Sequence, residues 1–155
     1  MAREPDPRFL YLVEDHGGVL LRAARLLCGD WARAEDLLQQ ALARALIRWD
    51  PRRPDLEAVL GVQQELVATY LDELPELDQT ADNLRLAVPS GPLLCGLGEL
   101  EPMVRATVVG RYYLELGDRD IADLISVEPG RVRHVGARTL TWLDRRLRFA
   151  GAGLG

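Results

Sequence analysis

With 155 residues, the chain has room for one helical domain or two small ones, each with an apolar core. A formal net charge of −5 with 48% hydrophobic residues excludes both a disordered polyelectrolyte and a generally basic nucleic-acid binder. No run of about 18 apolar residues offers a membrane span, and no charged-then-apolar leader opens the sequence. Cys28 and Cys95 lack the CxxC spacing and histidine neighbours of a zinc site or disulfide framework, so a cytoplasmic protein without metal or cofactor is expected.

Strand-like alternation is nearly absent and alanine, leucine and arginine fill the periodic segments, which places the chain in the all-α class. A first amphipathic helix is predicted from about Arg8 to Leu27, closed by Gly29, with Phe9, Leu12, Val13, Leu20, Leu21, Ala24 and Leu27 on its core face. Asp30 is a natural cap for a second helix, Trp31 to Arg48, with a seam of Leu38, Ala41, Leu42, Ala45 and Trp49. Pro51 and Pro54 break the chain. A third helix follows from Leu56 to about Leu71, carrying Leu56, Val59, Leu60, Val62, Leu66, Val67 and Tyr70.

Composition then shifts. Asp72 to Asp82 holds five acids and no base, and Pro89, Gly91, Pro92, Gly96 and Gly98 follow, as in a linker. A fourth helix is predicted from about Glu101 to Leu116. Gly117 and Asp118 then stop the chain and cap a short helix built on Ile121, Ala122, Leu124 and Ile125. After a turn at Ser126, Pro129 suits the first position of a long last helix. At about 100° per residue, Val132, Val135, Thr139, Trp142, Leu143 and Leu147 share one face of that helix, while Arg131, His134, Arg138, Arg145 and Arg148 share the opposite one.

This is a helix-turn-helix pattern with an arginine stripe on the side away from the packed face. Six arginines and one acid lie between Arg131 and Arg148 of an otherwise acidic chain, so the positive charge is placed locally. Such a flank suits phosphates and base edges; it also suits a solvated face, or a helical module that meets an acidic protein. No Ser/His/Asp, Cys/His or Gly-rich phosphate constellation points to an enzyme, and His16 and His134 are the only histidines.

Taken in this order, the chain resembles the extracytoplasmic-function sigma factors, closest to their short actinobacterial type. Leu20 to Trp49, with AEDLLQQAL (Ala34 to Leu42) at its centre, is similar to the start of region 2. LGELEPMVRATVVGRYY (Leu97 to Tyr113), followed by LGDRDIADLISVEPGRVRHVGARTL, is similar to region 4. The resemblance implies a region 2-like three-helix domain over residues 1–71, an acidic Pro/Gly-containing linker over 72–96 and a region 4-like helix-turn-helix domain over 97–150. It implies that Asp36, Leu37, Gln39 and Gln40 dock onto RNA polymerase core. Arg131, Arg133, His134 and Arg138 of the recognition helix, with Arg145 further along, would contact double-stranded promoter DNA, although Arg133, like Arg146, lies off the stripe itself. An anti-sigma factor or other regulatory protein is a further partner of this type, and no membrane contact is implied.

The departures from the family pattern cluster in Gly61 to Asp78. Gln63 and Gln64 stand where basic residues are usual, Ala68 where asparagine is common, and Asp72 and Glu73 where an arginine run is expected. Since phosphate neutralisation dominates DNA affinity, reversing this charge should weaken the grip on the melted strand. A degenerate sigma-like protein that acts through protein contacts without melting DNA is the alternative. The Asp72–Asp82 acids could then occupy a partner's basic surface in place of nucleic acid. Ser126, where the turn often has glycine, and Gly136 inside the last helix are smaller departures.

Overall fold

Capping chemistry sets the ends of the first helices in the computed structural model, which describes residues 4–74 and 92–152. Helix α1 spans Pro7–Cys28, and the Asp6 carboxylate accepts from the Arg8 backbone N–H at its start. The same carboxylate accepts from the Trp49 indole at 3.0 Å; this bond foremost, then that of Arg8, holds the Asp6 carboxyl below the usual carboxylate range. Gly29 closes α1 at φ 79, a left-handed conformation that favours glycine. Asp30 caps α2 (Trp31–Ile47) by accepting from the Arg33 N–H, as the sequence predicts. Past the proline elbow, α3 runs over Asp55–Asp72. Arg8 clasps this elbow through Pro51 O, Arg53 O and the Asp55 carboxylate, and Phe9 meets Trp49 edge to face at 5.2 Å.

The second half comprises α4 (Pro92–Gly98), α5 (Pro102–Val108), α6 (Asp118–Ile125) and α7 (Pro129–Ala152). Among the described residues there are helices and no strands, as expected for the all-α class. Three expectations change. The stretch read as linker up to residue 96 includes α4, because Leu97 is buried with Val108 and Leu143 in a small apolar cluster. Gly96 belongs to this contact: a Cβ there would lie 3.0 Å from a Leu143 methyl, so the glycine lets α4 approach α7. The fourth predicted helix is α5 followed by a π-helical turn, Val109–Tyr113, after which the Leu114 N–H bonds back to Val109 O. Leu56, expected in the core, is 86% exposed, since the packed face of α3 begins at Ala58 and continues through Val62, Leu66 and Tyr70. Residues 75–82 of the acidic stretch, and the rest of the predicted linker up to 91, lie outside the described residues.

One apolar cluster runs through both halves, from Leu20, Leu27, Leu37, Leu66 and Tyr70 to Ala106, Val109, Ile121 and Val132. Helix α3 lies against α5 and α6, and α1 against the π-turn. Arg105 of α5 rivets the junction. Its guanidinium donates to Leu27 O at 2.9 Å and to Leu97 O at 2.7 Å. It also reaches Gly98 O, Leu100 O and the Tyr70 hydroxyl. The helix leaves the Leu27 carbonyl open at the end of α1, whereas Leu97 O already accepts from the Leu100 N–H at 3.1 Å and takes Arg105 as a second donor; a cation there also meets the negative ends of both helix dipoles.

Candidate nucleic-acid and polymerase interfaces

Helix α7 takes its orientation from what it buries. Val132, Gly136, Thr139 and Leu143 face inward, and the Thr139 hydroxyl satisfies itself by donating to Val135 O at 2.7 Å. Arg131, Arg133, His134, Arg138 and Arg145 are all exposed. Among the described residues, Arg131, Arg138 and Arg145 have no carboxylate within ion-pair distance. Arg133, Arg146 and Arg148 do, being paired with Asp118, Glu99 and Asp144 respectively. The expected packed side is narrower than the periodicity implies. Trp142 and Leu147 are 38% and 37% exposed, because α4 covers α7 only around Leu143. Leu147 instead flanks an apolar groove of about 590 Å³ between α4, the π-turn and α7, lined also by Leu97, Val108, Tyr112 and Leu140.

The turn before α7 explains one departure. Ser126 ends α6 at φ 59, so the position demands the left-handed conformation for which glycine is the common choice. Gly136 also has a physical reason. A Cβ there would lie 3.2 Å from Arg111 Cδ and 3.4 Å from the Tyr112 hydroxyl, so α7 passes close to the π-turn at this point. Arg111 is held there by Asp118 at 3.2 Å.

On α2, Asp36, Gln39 and Gln40 form an exposed polar strip beside Ala43, with Leu46 and Ile47 at its end. Leu37, grouped with them by the resemblance, is 1% exposed; it anchors the strip from behind and is not itself presented. The strip's own helix is tied to α3 through Glu65, whose carboxylate is 7% exposed and lies 3.0 Å from Arg44 and 3.2 Å from Arg48. Arg44 also pairs with Asp72 at 2.9 Å and donates to Thr69. Two acids of α3 are thus neutralised by arginines of α2. Gln64 and Ala68 line a cleft of about 300 Å³ with Arg48, Trp49 and Arg53, and Leu124 of α6 forms its far wall.

Comparison with known proteins shows the family. The Sigma-70 region 2 family model matches residues 12–58, which run from α1 into the start of α3. The chain is 30% identical over 144 residues to the RNA polymerase sigma-E factor of Streptomyces coelicolor, an alignment covering 83% of this chain and 79% of the relative. This chain belongs to the extracytoplasmic-function sigma factor family. Its role is therefore a sigma-factor-like one in transcription initiation.

For this sigma factor, the residues that sequence reasoning missed are those that hold the candidate surfaces in place: Arg105, Arg111, and Glu65 with its two arginines; Asp118 was read only as a helix cap, not as the partner of Arg111 and Arg133. Only Gly136 signalled one of them, as a glycine in a helix interior with no turn to make. No group of three metal-ligating side chains occurs among the described residues, and no helix there is long and apolar enough to cross a membrane.

Proposed function

We propose that this sigma factor docks on RNA polymerase core through the Asp36–Gln39–Gln40 strip of α2 and contacts double-stranded promoter DNA through the exposed flank of α7. The observation that carries the DNA half is the pairing of a buried Val132–Leu143 flank with exposed Arg131, Arg138 and Arg145 that have no acid partner among the described residues. Guanidinium groups in that state are available to fork onto guanine or clamp phosphate. A carboxylate with two amides beside small apolar side chains suits a polar-rimmed protein interface. The protein acts by binding, in the cytoplasm where polymerase works, and an anti-sigma factor or other regulator is its natural counter-partner. Residues 1–71 act as the polymerase-facing unit, and residues 97–150, together with α4 packed on α7, as the DNA-facing unit.

Strand melting is where a second reading has specific support. Gln63 and Gln64 supply no positive charge, Asp72 is already occupied by Arg44, and Leu124 walls the cleft beside Gln64 and Ala68. A regulator that binds polymerase without opening DNA fits those features. Run-off transcription with core polymerase from the same source decides between the two. Transcript from a linear promoter supports a working initiator; core binding without transcript supports the degenerate regulator. Loss of core binding in neither Asp36→Ala nor Gln40→Ala would remove α2 from the docking role.

A further inference from the structure

Arg133 differs from its neighbours on α7. It donates through Nε to Asp118 Oδ2 at 3.3 Å, its one hydrogen bond among the described residues, while its side chain stays 71% exposed. Asp118 is no loose surface acid. It is the first residue of α6, where a helix N-terminus favours a carboxylate. Its other oxygen lies 3.2 Å from Arg111 Nη1, and both side chains are largely buried. Arg111 in turn rests on Gly136, where any Cβ would press on its Cδ. The carboxylate is therefore fixed from behind and grips only the stem edge of the Arg133 guanidinium. The two terminal nitrogens, the edge that forks onto guanine O6 and N7, remain available. An arginine restrained in this way also loses less side-chain freedom when it binds.

We propose that Asp118 is a positioning residue for DNA readout: by holding the Nε edge of Arg133 it presents that arginine's terminal fork to a guanine in the major groove. Arg133 then carries base discrimination, while Arg131, Arg138 and Arg145 supply backbone affinity. The inference rests on the DNA-binding role of α7 proposed above. Asp118 has two effects of opposite sign. Its charge repels phosphate, and its grip on Arg133 sharpens base choice. Asp118→Asn should therefore strengthen binding to arbitrary duplex and weaken discrimination at one base pair, a split that a merely structural role would not produce.

The test uses the full chain and a library of randomised duplexes, followed by titration of the enriched sequence and its single-base variants. Discrimination at one guanine is expected to fall about tenfold in Asp118→Asn, the order set by loss of a bidentate contact. Arg133→Lys, an exposed substitution that keeps the charge without the fork, should show the same loss. In an Arg133→Ala background, Asp118→Asn should change discrimination no further. Full discrimination in Asp118→Asn or Arg133→Lys, or a further loss in the Arg133→Ala background, would overturn the positioning role alone. Failure of the wild-type chain to enrich any sequence would instead overturn DNA reading by α7, and this inference with it.

Discussion

Truncation of Arg105 probes the junction between the two halves. The Arg105→Ala change removes donors from Leu27 O, Leu97 O, Gly98 O, Leu100 O and the Tyr70 hydroxyl. Hydrogen bonds from a charged donor are worth about 1.5–3 kcal/mol each, but those of one guanidinium are not additive. The carbonyls of Gly98 and Leu100, near the surface, can rehydrate, and Leu97 O keeps the Leu100 N–H at 3.1 Å, so the main loss falls on Leu27 O. One such bond, with a smaller remainder from the others, gives a destabilisation of about 2–3 kcal/mol. That is a large part of the roughly 5–15 kcal/mol holding a typical domain. With a urea slope of about 2 kcal/mol/M, the midpoint should fall by roughly 1–1.5 M in unfolding followed by far-ultraviolet circular dichroism. Arg105→Lys should recover only part of this, since one ammonium cannot serve the ends of α1 and α4 together. A midpoint shift below about 0.5 M would refute the reasoning, because it would mean that water already satisfies those carbonyls in the wild type.

Other outcomes follow from the same contacts. Burial pushes the Cys28 thiol up from 9.0 to about 11, with nearby charges contributing less. The folded chain thus keeps a proton that the unfolded chain loses, so stability should fall as pH rises from about 9 to about 11, by an order of 2 kcal/mol. Cys28→Ala should flatten that part of a pH–stability curve. Glu65→Gln leaves Arg44 and Arg48 facing a neutral amide; since both arginines reach water, we expect a loss of about 2 kcal/mol, below the range for a fully buried pair, measured by urea unfolding. Gly136→Ala should not give the gain of about 1 kcal/mol usual for glycine replacement in a helix, because the new Cβ meets Arg111; a thermal midpoint clearly above wild type would contradict that contact.

Much of the fold was legible because its signals are local. Asp30 before Trp31, Gly29 after Cys28 and Pro129 at the head of α7 act through their own backbone geometry, and each sits at a helix boundary in the structure. The side chains of the arginine flank were legible for the same reason, since helical periodicity alone sets them opposite Val132 and Leu143. Less could be read where distant segments meet. Leu56 has the right period for the α3 core, yet nothing in the sequence says that the packed face starts two residues later, at Ala58. Proline and glycine between 89 and 98 look like linker chemistry, but Gly96 serves a close helix crossing at Leu143. The arginines of α2 read as ordinary surface charge; only the fold brings Arg44 and Arg48 to Glu65 and shows that part of the acid in α3 is internal. Arg105 was hidden likewise, its partners being carbonyls that no residue type announces.

The claim on which the function turns is that the outward flank of α7 meets DNA. It is tested most directly by measuring affinity for duplex DNA against salt concentration, for the wild type and for an Arg131→Ala, Arg138→Ala double variant. If Arg131, Arg138 and Arg145 each neutralise a phosphate, log affinity should fall against log salt with a slope of about −3. The double variant should flatten the slope by about 2. Binding that ignores ionic strength, or a slope unaltered by the two substitutions, would contradict the account.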